Sequence, residues 1–83
     1  MVDMKPFNFY PNPVKNLATV ELTDQSAVHF DFRIYNMAGK LVLEQKNLVD
    51  SRFLIDCSHI PQGFYIAALS VGKAKTYQKI IIQ

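Results

Sequence analysis

The chain has 83 residues, 49% hydrophobic and 19% charged, too few for two cores and too apolar for disorder, which implies one modestly stable globular domain with little to spare for a deep pocket. The net charge of +2 comes from nine basic residues spread along the chain, and even the densest run, Lys73 to Lys79, is interrupted, which argues against nucleic acid as a partner. The single cysteine, Cys57, excludes an internal disulfide, and no apolar run reaches the ~20 residues of a membrane-spanning helix, so direct membrane insertion is not expected.

Residues 1–6 read as an added start or the remnant of an upstream linker, and residues 7–83 as the domain. Met1-Val2-Asp3-Met4-Lys5 lacks the apolar centre of a signal peptide, so an export signal is expected elsewhere in a longer chain. Phe7 and Phe9 alternate with polar neighbours up to Pro11, which cannot donate to a ladder. Residues 6–10 are therefore at most a short edge strand.

Residues 17–23 place Ala18, Val20 and Leu22 on one face, the pattern of a half-buried strand, and Asp24-Gln25-Ser26 turns the chain. Residues 28–36 alternate most cleanly, with Val28, Phe30, Phe32 and Ile34 inward, and His29, Asp31, Arg33 and Tyr35 outward. A central strand is expected there. Gly39 supplies the left-handed position of a hairpin turn at 36–40, and residues 40–46 return as its partner.

After a bend at 47–51, residues 52–57 form a strand with Phe53, Ile55 and Cys57 on one face. A wide turn through Pro61 and Gly63 follows. Residues 64–71 and 75–83 form a final hairpin around Gly72-Lys73, and the last strand runs to the end of the chain with nothing after it to cap it. Several short strands separated by turns, without a helical period, predict an all-β fold: an antiparallel immunoglobulin-like β-sandwich of about seven strands, with a small barrel as the alternative.

The chemistry-bearing residues are mostly scattered. Asp56-Cys57-Ser58-His59 sets a thiol two positions from an imidazole, on one face if the strand continues. Cys57 is nevertheless in phase with Phe53 and Ile55, which makes it a small core residue, and two soft ligands fall short of a zinc site. The outward row His29, Asp31, Arg33, Tyr35 reads as an alternating solvent face, Tyr35 being the residue to stack on any ligand. Four tyrosines without tryptophan are a poor stacking platform. Tyr65 and Tyr77 are expected with rings in the core and hydroxyls at its rim. Gly39, Gly63 and Gly72 all fall at turns, so no phosphate loop is present.

Four segments taken together, "YPNP" at 10–13, "IYNMAGKLV" at 34–42, "IDCSHIPQGFYIAAL" at 55–69 and "YQKIIIQ" at 77–83, resemble the C-terminal sorting domain of type IX secretion cargo, type A, of the Bacteroidetes. The resemblance runs from Tyr10 to Gln83, and its specificity lies in the order and spacing of the segments. Cys57, Phe64 and Ala67-Ala68 depart from the usual residues at their positions, which bears on core packing only.

The resemblance implies a non-catalytic domain without a cofactor or metal, attached to an upstream cargo domain of the same chain. Its partners would be the outer-membrane type IX translocon with its shuttle and sortase proteins. The cargo would cross the periplasm and reach the cell surface or the medium, after a sortase-like protease removes the domain and in some cases joins the cargo to lipopolysaccharide. The residues expected to carry recognition are Tyr10, Pro11, Asn12 and Pro13; Gly39 and Lys40; Pro61, Gly63 and Tyr65; and the terminal Lys79, Ile80, Ile81, Ile82 and Gln83.

In physical terms the two prolines stiffen "YPNP" into a junction between linker and domain. The uncapped last strand invites strand addition by a receptor, or weak pairing with a second copy. Two competing readings make different demands. A carbohydrate-binding or adhesion module of a secreted enzyme needs an exposed aromatic row, and a small hydrolase needs a solvent-reachable Cys57 beside His59.

Overall fold

The computed structural model describes residues 7–23 and 29–83. The expectations for residues 1–6, for the turn at Asp24-Gln25-Ser26 and for Val28 lie outside the described residues. Seven strands follow in order: β1 (Phe7–Tyr10), β2 (Leu17–Leu22), β3 (Phe30–Asn36), β4 (Leu41–Leu48), β5 (Arg52–Asp56), β6 (Gly63–Val71) and β7 (Ala74–Ile82). They form a three-stranded sheet, β1-β2-β5, and a four-stranded sheet, β4-β3-β6-β7, each with antiparallel neighbours. The barrel alternative is not what the chain adopts.

The period-two pattern is what closes the sandwich. Ala18, Val20 and Leu22 of β2 and Phe30, Phe32 and Ile34 of β3 are all buried, so each sheet turns its apolar set toward the other. Phe32 is the hub. Its ring meets Phe7 edge-on at 6.2 Å, lies near-parallel to Phe9 at 6.3 Å and meets Phe53 edge-on at 5.6 Å. One residue of the larger sheet thus packs against two strands of the smaller one, β1 and β5, in ring geometries that favour aromatic pairs.

The β3–β4 hairpin is held by Asn36 as much as by Gly39. The Asn36 Oδ1 accepts from the Ala38 and Lys40 amides at 2.9 Å each, and its carbonyl accepts from Gly39 N, where φ is 88°. Strand β4 extends two residues beyond the expected 40–46 because it absorbs irregularities. Its register against β3 shifts twice, and Asn47, φ 57°, gives its amide to Asp31 Oδ1 at 3.0 Å. Such bulges twist an edge strand away from intermolecular pairing.

The last hairpin closes over Gly72-Lys73, with Val71 opposite Ala74. Ahead of it, Tyr65 is buried and donates from its hydroxyl to the Pro61 carbonyl at 2.6 Å. That bond pins the wide turn to the core, as expected for a ring inside and a hydroxyl at the rim. Tyr77 is different: it lies opposite Ala68, faces outward and is 58% exposed. The two-residue period set by buried Ile80 and Ile82 leaves odd-numbered positions of β7 on the solvent side.

Candidate functional site at the terminal strand

Strand β7 is an edge strand, but its end is not uncapped. After β1 the chain crosses from the smaller sheet to the outer side of β7, where Val14 and Ile82 form a parallel bridge. Val14 N donates to the Ile81 carbonyl at 2.9 Å, and Gln83 N donates to the Val14 carbonyl at 2.7 Å. The Asn12 side chain adds two bonds. Its Oδ1 accepts from Ile81 N at 2.9 Å, and its Nδ2 donates to the Lys79 carbonyl at 3.4 Å. The primary amide of Asn12 therefore stands in for a strand backbone between two prolines that have no N–H to offer.

This arrangement corrects two expectations together. "YPNP" is not a junction ahead of the domain, because β1 precedes it and both Phe7 and Phe9 are buried. Residues 12–14 instead form a clasp over the end of β7. The sequence signal available was the composition itself: the flanking prolines lack N–H donors, so a primary amide between them supplies pairing groups that the backbone there is short of.

Among the expected recognition residues, the structure brings Asn12, Pro13, Lys79, Ile81, Ile82 and Gln83 together at this clasp, while Ile80 lies in the core. Tyr10 stands at the end of β1 with its hydroxyl 3.4 Å from Glu21, which also pairs with Arg52 at 3.1 Å. Pro11 is exposed. Gly63 opens β6 opposite Ile82 with φ 152°, a conformation that side-chain-bearing residues rarely adopt. Pro61 and Tyr65 share the bond described above. Gly39 and Lys40 sit at the β3–β4 turn, on a different sheet edge from the clasp.

The thiol and imidazole do not form a pair. Strand β5 ends at Asp56, and the backbone then turns, with Cys57 N bonded to the Asn16 carbonyl and Ile60 N to the Cys57 carbonyl. Cys57 is fully buried, whereas the His59 side chain is 88% exposed and reaches only toward Asp56, at 3.8 Å. Burial and the nearby Asp56 charge push the Cys57 thiol up from its ordinary range, the opposite of what an activated nucleophile needs. Asp56 is held below the usual carboxylate range by its hydrogen bonds to Ser58. Among the described residues no group of three or more His, Cys, Asp or Glu could hold a metal ion.

The outward row on β3 is an ion-pair network. Arg33 Nε meets Glu44 at 2.6 Å and its other arm reaches Asp31 at 3.6 Å, so both carboxylates on that side are neutralised locally. The outward side of β6 and β7 has another character: Phe64 and Tyr77 are exposed, and the Lys79 ammonium sits 5.1 Å from the centre of the Phe64 ring. These features were missed because an aromatic in a strand reads first as core.

Residues 8–83 match the model of a family described as "Secretion system C-terminal sorting domain". The chain is also similar to an ulvan lyase, NLR42, of Nonlabens ulvanivorans, with 33% identity over 73 residues that make up 88% of this chain and 13% of that protein. Among solved structures it resembles a DUF3244 family protein from Bacteroides vulgatus with an immunoglobulin-like β-sandwich fold. The TM-score is 0.77 at 16% identity, over 94% of this chain and 84% of that one.

Proposed function

Because the chain belongs to the family of type IX secretion C-terminal sorting domains, we propose that it directs the protein bearing it across the outer membrane through the type IX translocon. The observation that carries this reading is that the match spans residues 8–83, so both the clasp and the strand it covers lie inside the matched unit. The chain covers only 13% of the length of the lyase it resembles, as suits a small appendage of a much larger cargo. In this reading the domain passes through the periplasm with its cargo and is then removed by a sortase-like protease, which in some cargo attaches the new end to lipopolysaccharide. The domain supplies the folded address and performs no chemistry itself.

The test is a reporter fused ahead of this chain, behind a signal peptide and flexible linker, in a bacterium with the type IX machinery. Deleting Lys79 to Gln83 is a poor control, because Ile80 and Ile82 are core residues. A fusion lacking the whole domain is the matched control. Surface display that depends on the domain is the expected result. A folded reporter held in the periplasm with the domain attached would oppose it, and the exposed Phe64 and Tyr77 would then direct a polysaccharide screen for an adhesion module.

A further inference from the structure

The clasp determines which part of β7 remains open. Ile81 turns both its N–H and its carbonyl to the clasp, and the Lys79 carbonyl turns the same way. In an antiparallel strand without a register break, alternate residues send both backbone groups to the same side. The β6–β7 register is unbroken from Ala74 to Ile82. The amides of Lys75, Tyr77 and Lys79 and the carbonyls of Lys75 and Tyr77 therefore point away from β6, upstream of the clasp. Among the described residues no strand lies beyond them.

The side chains along this open edge make a pattern of their own. Lys75, Tyr77 and Lys79 all face outward and are exposed. Among the described residues Lys75 and Lys79 make no ion pair, while the carboxylates of the same sheet face, Asp31 and Glu44, are drawn to Arg33 near the opposite edge. The open edge is thus a cationic row with an aromatic at its centre.

We propose that residues 75–79 of β7 are a docking edge for an extended acidic segment of the export machinery, which adds as a fifth strand to the β4-β3-β6-β7 sheet. The inference rests on the sorting reading and narrows it, moving strand addition from the clasped end of β7 to its upstream half. Charge complementarity selects the occupant: alternate residues of an added strand fall on the same face as the lysines. Carboxylates there meet Lys75 and Lys79, and an apolar residue between them packs against Tyr77. The two clasp prolines end the edge, so the partner's register is limited downstream by Pro11–Val14.

The experiment titrates the isotope-labelled 83-residue chain with an end-capped extended peptide of about eight residues that carries two glutamates four positions apart with a valine midway between them and threonine elsewhere, followed by amide chemical shifts and hydrogen exchange. Binding that weakens with salt and newly protects the Lys75, Tyr77 and Lys79 amides is expected. Tyr77→Pro removes one outward donor while sparing the β6–β7 ladder, and should abolish that protection. Because this change is in a strand, Lys75→Glu/Lys79→Glu is the second variant; its altered side chains are exposed, and its affinity should fall roughly fivefold.

Absence of binding, perturbation centred on β4 or β1, or unchanged affinity in the charge-reversed variant would each overturn the proposal. Reporter display is scored separately with the unaltered domain. Failure of export therefore counts against the sorting reading, whereas failure of the peptide to bind counts against this edge.

Discussion

Two residues show what the core tolerates. Gln78 is on the inward side of β7, and its Oε1 is buried without a hydrogen-bond partner among the described residues. Losing water without gaining a donor costs about 1–3 kcal/mol. Gln78→Leu is therefore expected to raise the denaturation midpoint by roughly 1 kcal/mol of stability, read in urea with an unchanged slope. Cys57 carries the opposite sort of strain, because its thiol is raised above 9.0 by burial and then by the charge of Asp56. With the folded value above the unfolded one, its contribution is complete below pH 9 and is lost as pH rises through the folded value. Cys57→Ala should remove that part of the alkaline loss, seen as a shallower fall of stability above pH 9. A thiol reagent should label the native chain only after denaturant is added.

At the scale of elements, the clasp is the feature whose removal is most informative. Asn12→Ala deletes two side-chain bonds to β7 and leaves the prolines in place. It should cost about 1–2 kcal/mol and speed hydrogen exchange at the Ile81 amide more than at amides of β3. Strands with one buried face were legible from period two alone, as β2 and β3 show, because Ala18, Val20, Phe30 and Phe32 have no alternative register that keeps them dry. Strand β4 was legible only in outline. Its bulges follow from pairings such as Asn47 with Asp31 that leave no local periodicity. Nor could local pattern reveal that Asn12 meets Ile81, sixty-nine positions away. The outward placement of Tyr77 was available in principle, since it is out of phase with Ile80 and Ile82, but its aromatic character outweighed the parity.

For the whole molecule, the four sheet edges are not equivalent. Strand β4 is distorted by two register shifts, and the end of β7 is clasped. The open stretch of β7 resists its own kind: two copies paired antiparallel and centred on Tyr77 would set Lys75 of each against Lys79 of the other. Like charges directly opposite destabilise a strand pair, so the weak dimer expected from an exposed edge should be suppressed at low ionic strength. Sedimentation is expected to find a monomer there, with association promoted by Lys75→Glu, which turns the repulsive pairs into attractive ones.

The clasp also gives the domain a direction under load. Val14 and Ile82 run parallel, so tension applied from residues ahead of the clasp and from the Gln83 side of β7 pulls the two segments lengthwise past each other. The four bonds joining Asn12 and Val14 to Lys79, Ile81 and Gln83 then share that tension, whereas a tug on the β6–β7 hairpin from its open ends would part its bonds one by one. A cargo hauled by its domain would strain the molecule along its shear-resistant axis, and single-molecule pulling should find a higher rupture force in that geometry than with handles at Gly63 and Ile82.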